Sequence, residues 1–156
     1  VFVVHGRDAG AAEAVARFIE RLAMRPLILR ELPTSGRTIF QKLLRYSGVS
    51  FAVVLLTPDD QGGLRDAAPL SQRYRARQNV IFELGFFVGK LGAARVCALY
   101  RDGVELPSDY EGVGYVPFDE NGAWQLSLAR EMKHAGIEVD LNRILRGQSL
   151  RVATRH

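Results

Sequence analysis

Residues 51–58 read FAVVLLTP, and this stretch decides the fold. It is a continuous β-rich run with no polar alternation, which predicts a central strand covered on both faces, as in a parallel sheet. Towards the N-terminus, VFVV (1–4) reads as a short strand. Residues 10–24 carry Ala12, Val15, Ala16, Ile19, Leu22 and Ala23 at helical spacing, with Asp8 placed to cap that helix. PLILRE supplies a strand near 27–30, and 38–46 a helix with Ile39, Leu43 and Leu44 inward. Beyond the central run, DDQGGLRDAAPLSQRYR (59–75) contains two glycines and Pro69, which argue against regular structure before about residue 75. RARQNVIFELGFFVGKLG (75–92) is a helix closed by Gly92, RVCALY (95–100) a strand, and EGVGYVPFD (111–119) holds a fifth strand near 113–118. Residues 124–134 form a last clear helix, and 137–145 a short one.

Strand–helix alternation with five strands predicts an α/β fold with a parallel sheet. Length and element count favour a flavodoxin-like strand order, 2-1-3-4-5. Ligands bind such sheets beyond the carboxyl ends of the strands, beside the point where the order reverses. That rule nominates HGRDAG after the first strand, RELPTSGRT after the second and TPDDQGG after the third.

The bulk properties remove several function classes. The chain has 156 residues, 47% of them hydrophobic and 24% charged, which is the composition of one compact domain. No apolar run approaches the roughly 18–20 residues of a membrane span. Cys97 is the single cysteine, so disulfide frameworks and Cys-rich metal sites are excluded, and a cytoplasmic setting is expected. Arg143, Arg146, Arg151 and Arg155 account for the whole net charge of +4, so residues 1–142 are neutral. The basicity belongs to a tail, and no nucleic-acid partner is expected for the folded body. The chain opens inside a strand-like run without Met. It is therefore expected to be a fragment: a domain over 1–145, then a basic linker over 146–156 towards a sensor or membrane domain.

Neither GxGxxG, a Walker sequence nor GxSxG is present. Three scattered histidines at 5, 134 and 156 do not suggest a zinc site or a Ser-His-Asp triad, so no metal is expected. His5-Gly6-Arg7-Asp8 has two open readings: a phosphate-approaching loop, or a turn in which Asp8 caps the next helix. Gly36-Arg37-Thr38 is likewise either a ligand loop or a glycine turn with Thr38 as cap. Asp59 and Asp60, at the end of a central strand, suit metal or ribose contacts or, as paired loop aspartates more often do, plain solvation.

Glu83 is the anomaly, a carboxylate within VIFELGFFV. On a helical wheel the core stripe runs through Val80, Leu84, Val88 and Leu91, and Glu83 falls about 100° from its centre. It stands at the border of the core, with Asn79 one turn before it and Phe87 one turn after. Phe82 and Phe86 occupy the side that a soluble monomer makes polar. Either another chain covers this helix or Glu83 lines a cleft.

The strings VFVVHGRD, LRELPTSGRTIFQKL, SFAVVLLTPDD, RARQNVIFELGFFVGKLG, RVCALY and YEGVGYVPFDENGAWQLSLAREMKHAG resemble the bacterial TIR-like family, over about residues 1–145. That family was first described as predicted nucleotide-binding proteins. It includes the TIR domains of anti-phage effectors, TIR–STING fusions and effectors of cyclic-pyrimidine signalling among them. The resemblance implies a flavodoxin-like TIR fold and NAD+ glycohydrolase activity, with NAD+ as substrate and no separate cofactor. It carries the family's catalytic glutamate onto Glu83 and the mobile BB loop onto PTSGRTIF. The nucleotide is then expected near His5, Gly6, Arg7 and Asp8, with Arg37, Thr38, Asp59, Arg77, Asn79 and Phe87 as further neighbours. Arg7 and Arg37 are the expected pyrophosphate partners. Self-association through TIR–TIR contacts and a STING-like or other cyclic-nucleotide sensor domain are also implied. Three alternatives stand beside this reading. They are a non-enzymatic TIR assembly module, a nucleoside deoxyribosyltransferase-like N-glycosidase, and a passive nucleotide sensor.

Overall fold

The computed structural model of the chain describes residues 1–108 and 110–145. The basic linker expected over 146–156 lies outside the described residues. In chain order the regular elements are β1 (Phe2–Val4), α1 (Ala9–Arg21), β2 (Leu27–Ile28), α2 (Ile39–Tyr46), β3 (Ala52–Leu56), β4 (Asp60–Gly62), β5 (Arg73–Arg75), α3 (Gln78–Leu91), β6 (Val96–Tyr100), β7 (Val104–Glu105), β8 (Gly114–Pro117) and α4 (Trp124–His134).

The main sheet runs β2-β1-β3-β6-β8 with every pairing parallel, which is the expected 2-1-3-4-5 order for the five large-sheet strands. Strand β3 sits at its centre, all five residues buried, paired through Val54 to Val4 on one side and Ala98 on the other. Because side chains alternate across a strand, the sheet feeds two cores. Val3, Val53, Leu55, Cys97 and Leu99 pack with α1 and α4. Phe2, Val4, Ala52, Val54 and Leu56 pack with Leu43 of α2 and with Val80, Leu84 and Phe87 of α3. Helices therefore cover both faces, as a parallel sheet of this hydrophobicity requires.

The structure departs from the sequence reading in four places. Residues 59–75 are not irregular: β4 and β5 form an antiparallel pair, and β7 extends it into a small second sheet. The Arg75 guanidinium lies over Gly62, where a Cβ would displace that side chain. Strand β2 ends at Ile28, and the chain turns through a single 3-10 turn, Leu29–Glu31. On α2 only Leu43 points inward among the three expected residues, while Ile39 and Leu44 are exposed. Beyond α4, the expected short helix is one helical turn at 142–145.

Candidate functional site

A cleft of about 240 Å³ opens on the α2/α3 side of the sheet, beyond the carboxyl ends of β1 and β2. Val3, His5 and Gly6 come from β1 and its loop, Leu29, Arg30 and Thr34 from the segment after β2, Ile39 and Lys42 from α2, and Arg77, Asn79, Val80 and Glu83 from the start of α3. This is the region that the strand-order rule nominates, because β1 is where the order reverses.

Helix α3 brings Glu83 here by simple periodicity. Val80 and Leu84 are buried against the sheet, and Glu83, between their rows, is half-buried at the cleft wall. Its carboxylate accepts no hydrogen bond among the described residues. Burial pushes the Glu83 carboxyl up to about 7, against an opposing pull from the Arg77 guanidinium. The group is thus poised to change ionisation near neutral pH, the property expected of a residue that handles charge or protons.

The His5 ring is oriented by its own loop. Its Nδ1 lies 2.9 Å from the Gly6 carbonyl oxygen, which can only accept, so Nδ1–H donates and Nε2 is left free of that contact. Gly6 is required by the packing there, since a Cβ would overlap the Asp59 carboxylate. Asp59 is itself held by the Thr57 hydroxyl at 2.9 Å and the Arg7 backbone N–H at 3.3 Å.

Of the residues singled out in the sequence, the cleft unites His5, Gly6, Arg77, Asn79 and Glu83. The others stand elsewhere. Arg7 is exposed and turned to the loop after β3, where it donates to the Asp60 carboxylate at 2.7 Å and the Asp59 carbonyl at 3.2 Å. Asp8 caps α1 through the Ala11 N–H at 2.9 Å and pairs with Arg101 at 3.6 Å. Thr38 caps α2 in a reciprocal box with Gln41. Arg37 is half-buried and closes a turn back to Thr34, with Ser35 and Gly36 both in the left-handed region. Phe87 is fully buried, its ring 4.8 Å from Phe2, and faces the core. Arg30, Thr34 and Lys42 were not singled out. A lysine in FQKLLRY carries no signal of burial, since its wall is made by segments distant in sequence.

A larger cavity, about 570 Å³, lies across β2 on the α1 side and shares His5 and Arg30 with the cleft. Its walls carry Glu13, Glu20 and Glu31 against Arg17, Arg25 and Arg30, so its charges balance, and Glu83 is not among them. Among the described residues no group of three His, Cys, Asp or Glu side chains is placed to hold a metal ion, and no helix is long and apolar enough to cross a membrane.

Beside the cleft, α2 and α3 expose a continuous apolar face. Ile39 at the cleft rim is 69% exposed, and Phe40, Leu44 and Phe82 are also open to solvent. Phe40 packs against Phe82 at 6.0 Å and Phe86 at 6.3 Å, so these side chains form one patch.

Comparison with known proteins identifies this arrangement. Residues 1–120 match the family model of the CAP12/Pycsar effector protein, TIR domain. The chain belongs to this family of TIR domains. It is similar to the uncharacterized protein YuaY of Escherichia coli, with 47% identity over 93% of the chain and 48% of YuaY. It is also similar to protein tirC of Dictyostelium discoideum, 31% identical over 78% of the chain and 65% of that protein. The Pycsar effector protein PaPycTIR of Pseudomonas aeruginosa is 44% identical over 42% of the chain and 21% of its own length. The TIR-domain chain thus spans about half of YuaY and a smaller part of PaPycTIR. The match of 1–120 takes in every strand and helix except α4, and with them the whole wall around Glu83.

Proposed function

We propose that this TIR domain is the NAD+-cleaving effector module of a bacterial anti-phage protein, switched on by assembly through a cyclic-nucleotide-sensing domain. The observation that carries the reading is Glu83, a half-buried, unpartnered carboxylate in a cleft whose other charged and titratable groups are His5, Arg30, Lys42 and Arg77. Names of relatives such as PaPycTIR support the effector role.

The chemistry suits one carboxylate. Cleavage breaks the bond between ribose C1′ and the pyridinium nitrogen of NAD+. The bonding pair leaves with the ring, so nicotinamide departs neutral and needs no proton. The two-carboxylate scheme of ordinary glycosidases therefore loses its acid. Water supplies hydroxide to C1′ and one proton to the solvent, giving ADP-ribose. A cyclic isomer forms instead if a hydroxyl of the same molecule attacks. An ionised Glu83 stabilises the positive charge that spreads over C1′ and the ring oxygen. The pyridinium cation of the bound substrate favours that ionised form, offsetting the burial that disfavours it.

The size of the cleft supports a requirement for assembly. Its 240 Å³ falls below the roughly 300–1,000 Å³ of pockets that enclose a whole ligand. It suits part of a dinucleotide and leaves the rest at the rim. The apolar patch borders that rim at Ile39, so a second copy covering the patch also roofs the cleft.

The test is chromatography of NAD+ products from artificially clustered protein. Wild type is expected to release nicotinamide, and Glu83→Gln to fold normally and release none. Turnover by E83Q at the wild-type rate would remove Glu83 from the chemistry, and no turnover by clustered wild type would remove the hydrolase reading.

A further inference from the structure

Lys42 is only 6% exposed, and lysine is almost never buried to that degree without a partner. No hydrogen bond or ion pair of its amine to any described residue is present. The amine is nonetheless not sealed in. Among the described residues only Arg75 Nε combines closure from solvent with the lack of a hydrogen-bond partner. Lys42 is a lining residue of the cleft that Glu83 also lines, its stem packed away while its amine keeps some access to solvent. Of the other cationic side chains in the wall, Arg30 leans on the Gly6 carbonyl at 3.5 Å and Arg77 is exposed at the start of α3.

A largely buried lysine whose amine has no protein acceptor leaves a cationic position that an anionic ligand can occupy. Glu83 is not that anion, because no ion pair joins the two side chains. Lys42 and Glu83 thus line one small cavity without forming an ion pair. Arg7, the guanidinium expected from the sequence to meet phosphate, is occupied by the Asp59 and Asp60 loop.

We infer that Lys42 is the phosphate anchor of the cleft, selecting ligands that carry a nucleotide's pyrophosphate over uncharged nucleosides. The inference deepens the NAD+-cleavage reading and rests on it for the identity of the ligand. An ammonium binds phosphate as a point charge, without the fixed fork geometry of a guanidinium.

The experiment measures binding of ADP-ribose, which carries the pyrophosphate and cannot release nicotinamide, alongside adenosine and inorganic pyrophosphate. Lys42→Met is expected to weaken ADP-ribose at least tenfold, to abolish competition by pyrophosphate, and to leave adenosine within twofold. Lys42→Arg is expected to stay within about threefold of wild type, and wild-type ADP-ribose binding to weaken with salt as a charge contact does. If K42M does not fold, Lys42→Gln carries the same comparison. In turnover, K42M is expected to raise KM for NAD+ at least tenfold with kcat within twofold, and to leave KM for nicotinamide riboside unchanged. An ADP-ribose affinity within twofold of wild type in K42M, or an equal loss for adenosine, overturns the anchor. So does a wild type that binds neither ADP-ribose nor pyrophosphate. Lys42-dependent ADP-ribose binding without nicotinamide release from clustered wild type leaves the anchor standing and overturns the hydrolase reading. Unaltered NAD+ kinetics in K42M do the reverse.

Discussion

At the scale of the residue, Glu83 determines how the protein responds to pH. Its carboxyl is raised from the ordinary 4.5 to about 7 by burial. If the ionised form is the active one, kcat/KM for NAD+ climbs about tenfold per pH unit below 7 and levels off above it. A profile flat from pH 5.5 to 8.5 would contradict this role. The same shift has a consequence for stability. Between about pH 4.5 and 7 the folded state keeps a proton that the unfolded chain has released, so the Glu83 contribution is present at low pH and lost as pH rises through 7. Glu83→Gln removes this dependence. By urea denaturation it is expected to be more stable than wild type by about 1–3 kcal/mol at pH 8, and little different at pH 4. A pH-independent difference would assign the effect to packing instead.

At the scale of the element, α2 carries both the anchor and the rim. It has eight residues and buries only Leu43 and Lys42, so its ends matter. The Thr38–Gln41 box holds its start, with Thr38 N–H to Gln41 Oε1 at 2.9 Å and Gln41 N–H to Thr38 Oγ1 at 3.2 Å. Thr38→Ala is expected to cost about 1 kcal/mol in a urea titration. It should also raise KM for NAD+ by loosening Lys42, whereas an unchanged KM would show the cap to be purely structural. The exposed face of α2 and α3 makes a separate prediction. Phe82→Asp touches no buried contact of the core, so the urea midpoint should hold while activity driven by clustering falls at least tenfold. Full activity of F82D would place the assembly surface elsewhere.

At the scale of the whole molecule, the small cleft and the apolar patch beside it predict that activity depends on concentration. The dilute domain is expected to cleave NAD+ weakly, and forced clustering to raise the specific activity steeply, read alongside sedimentation. Equal specific activity of dilute and clustered protein would exclude a shared site. How much of this was legible in the chain divides by range. Run composition and helical period determined the parallel sheet and the border position of Glu83, because strand and helix burial follow from neighbours two to four residues away, while the strand order came from length and element count. The same local logic misjudged 59–75, where Asp60–Gly62 pairs with Arg73–Arg75 across a long intervening loop. Only the tertiary structure decided which cations serve the cleft. Arg7 is claimed by Asp60, 53 residues distant, and Lys42 comes to line one cleft with the β1 loop and the start of α3. The partner of a charge is set by which segments the fold brings within a few ångströms, and the spacing of residues along one helix does not contain that information.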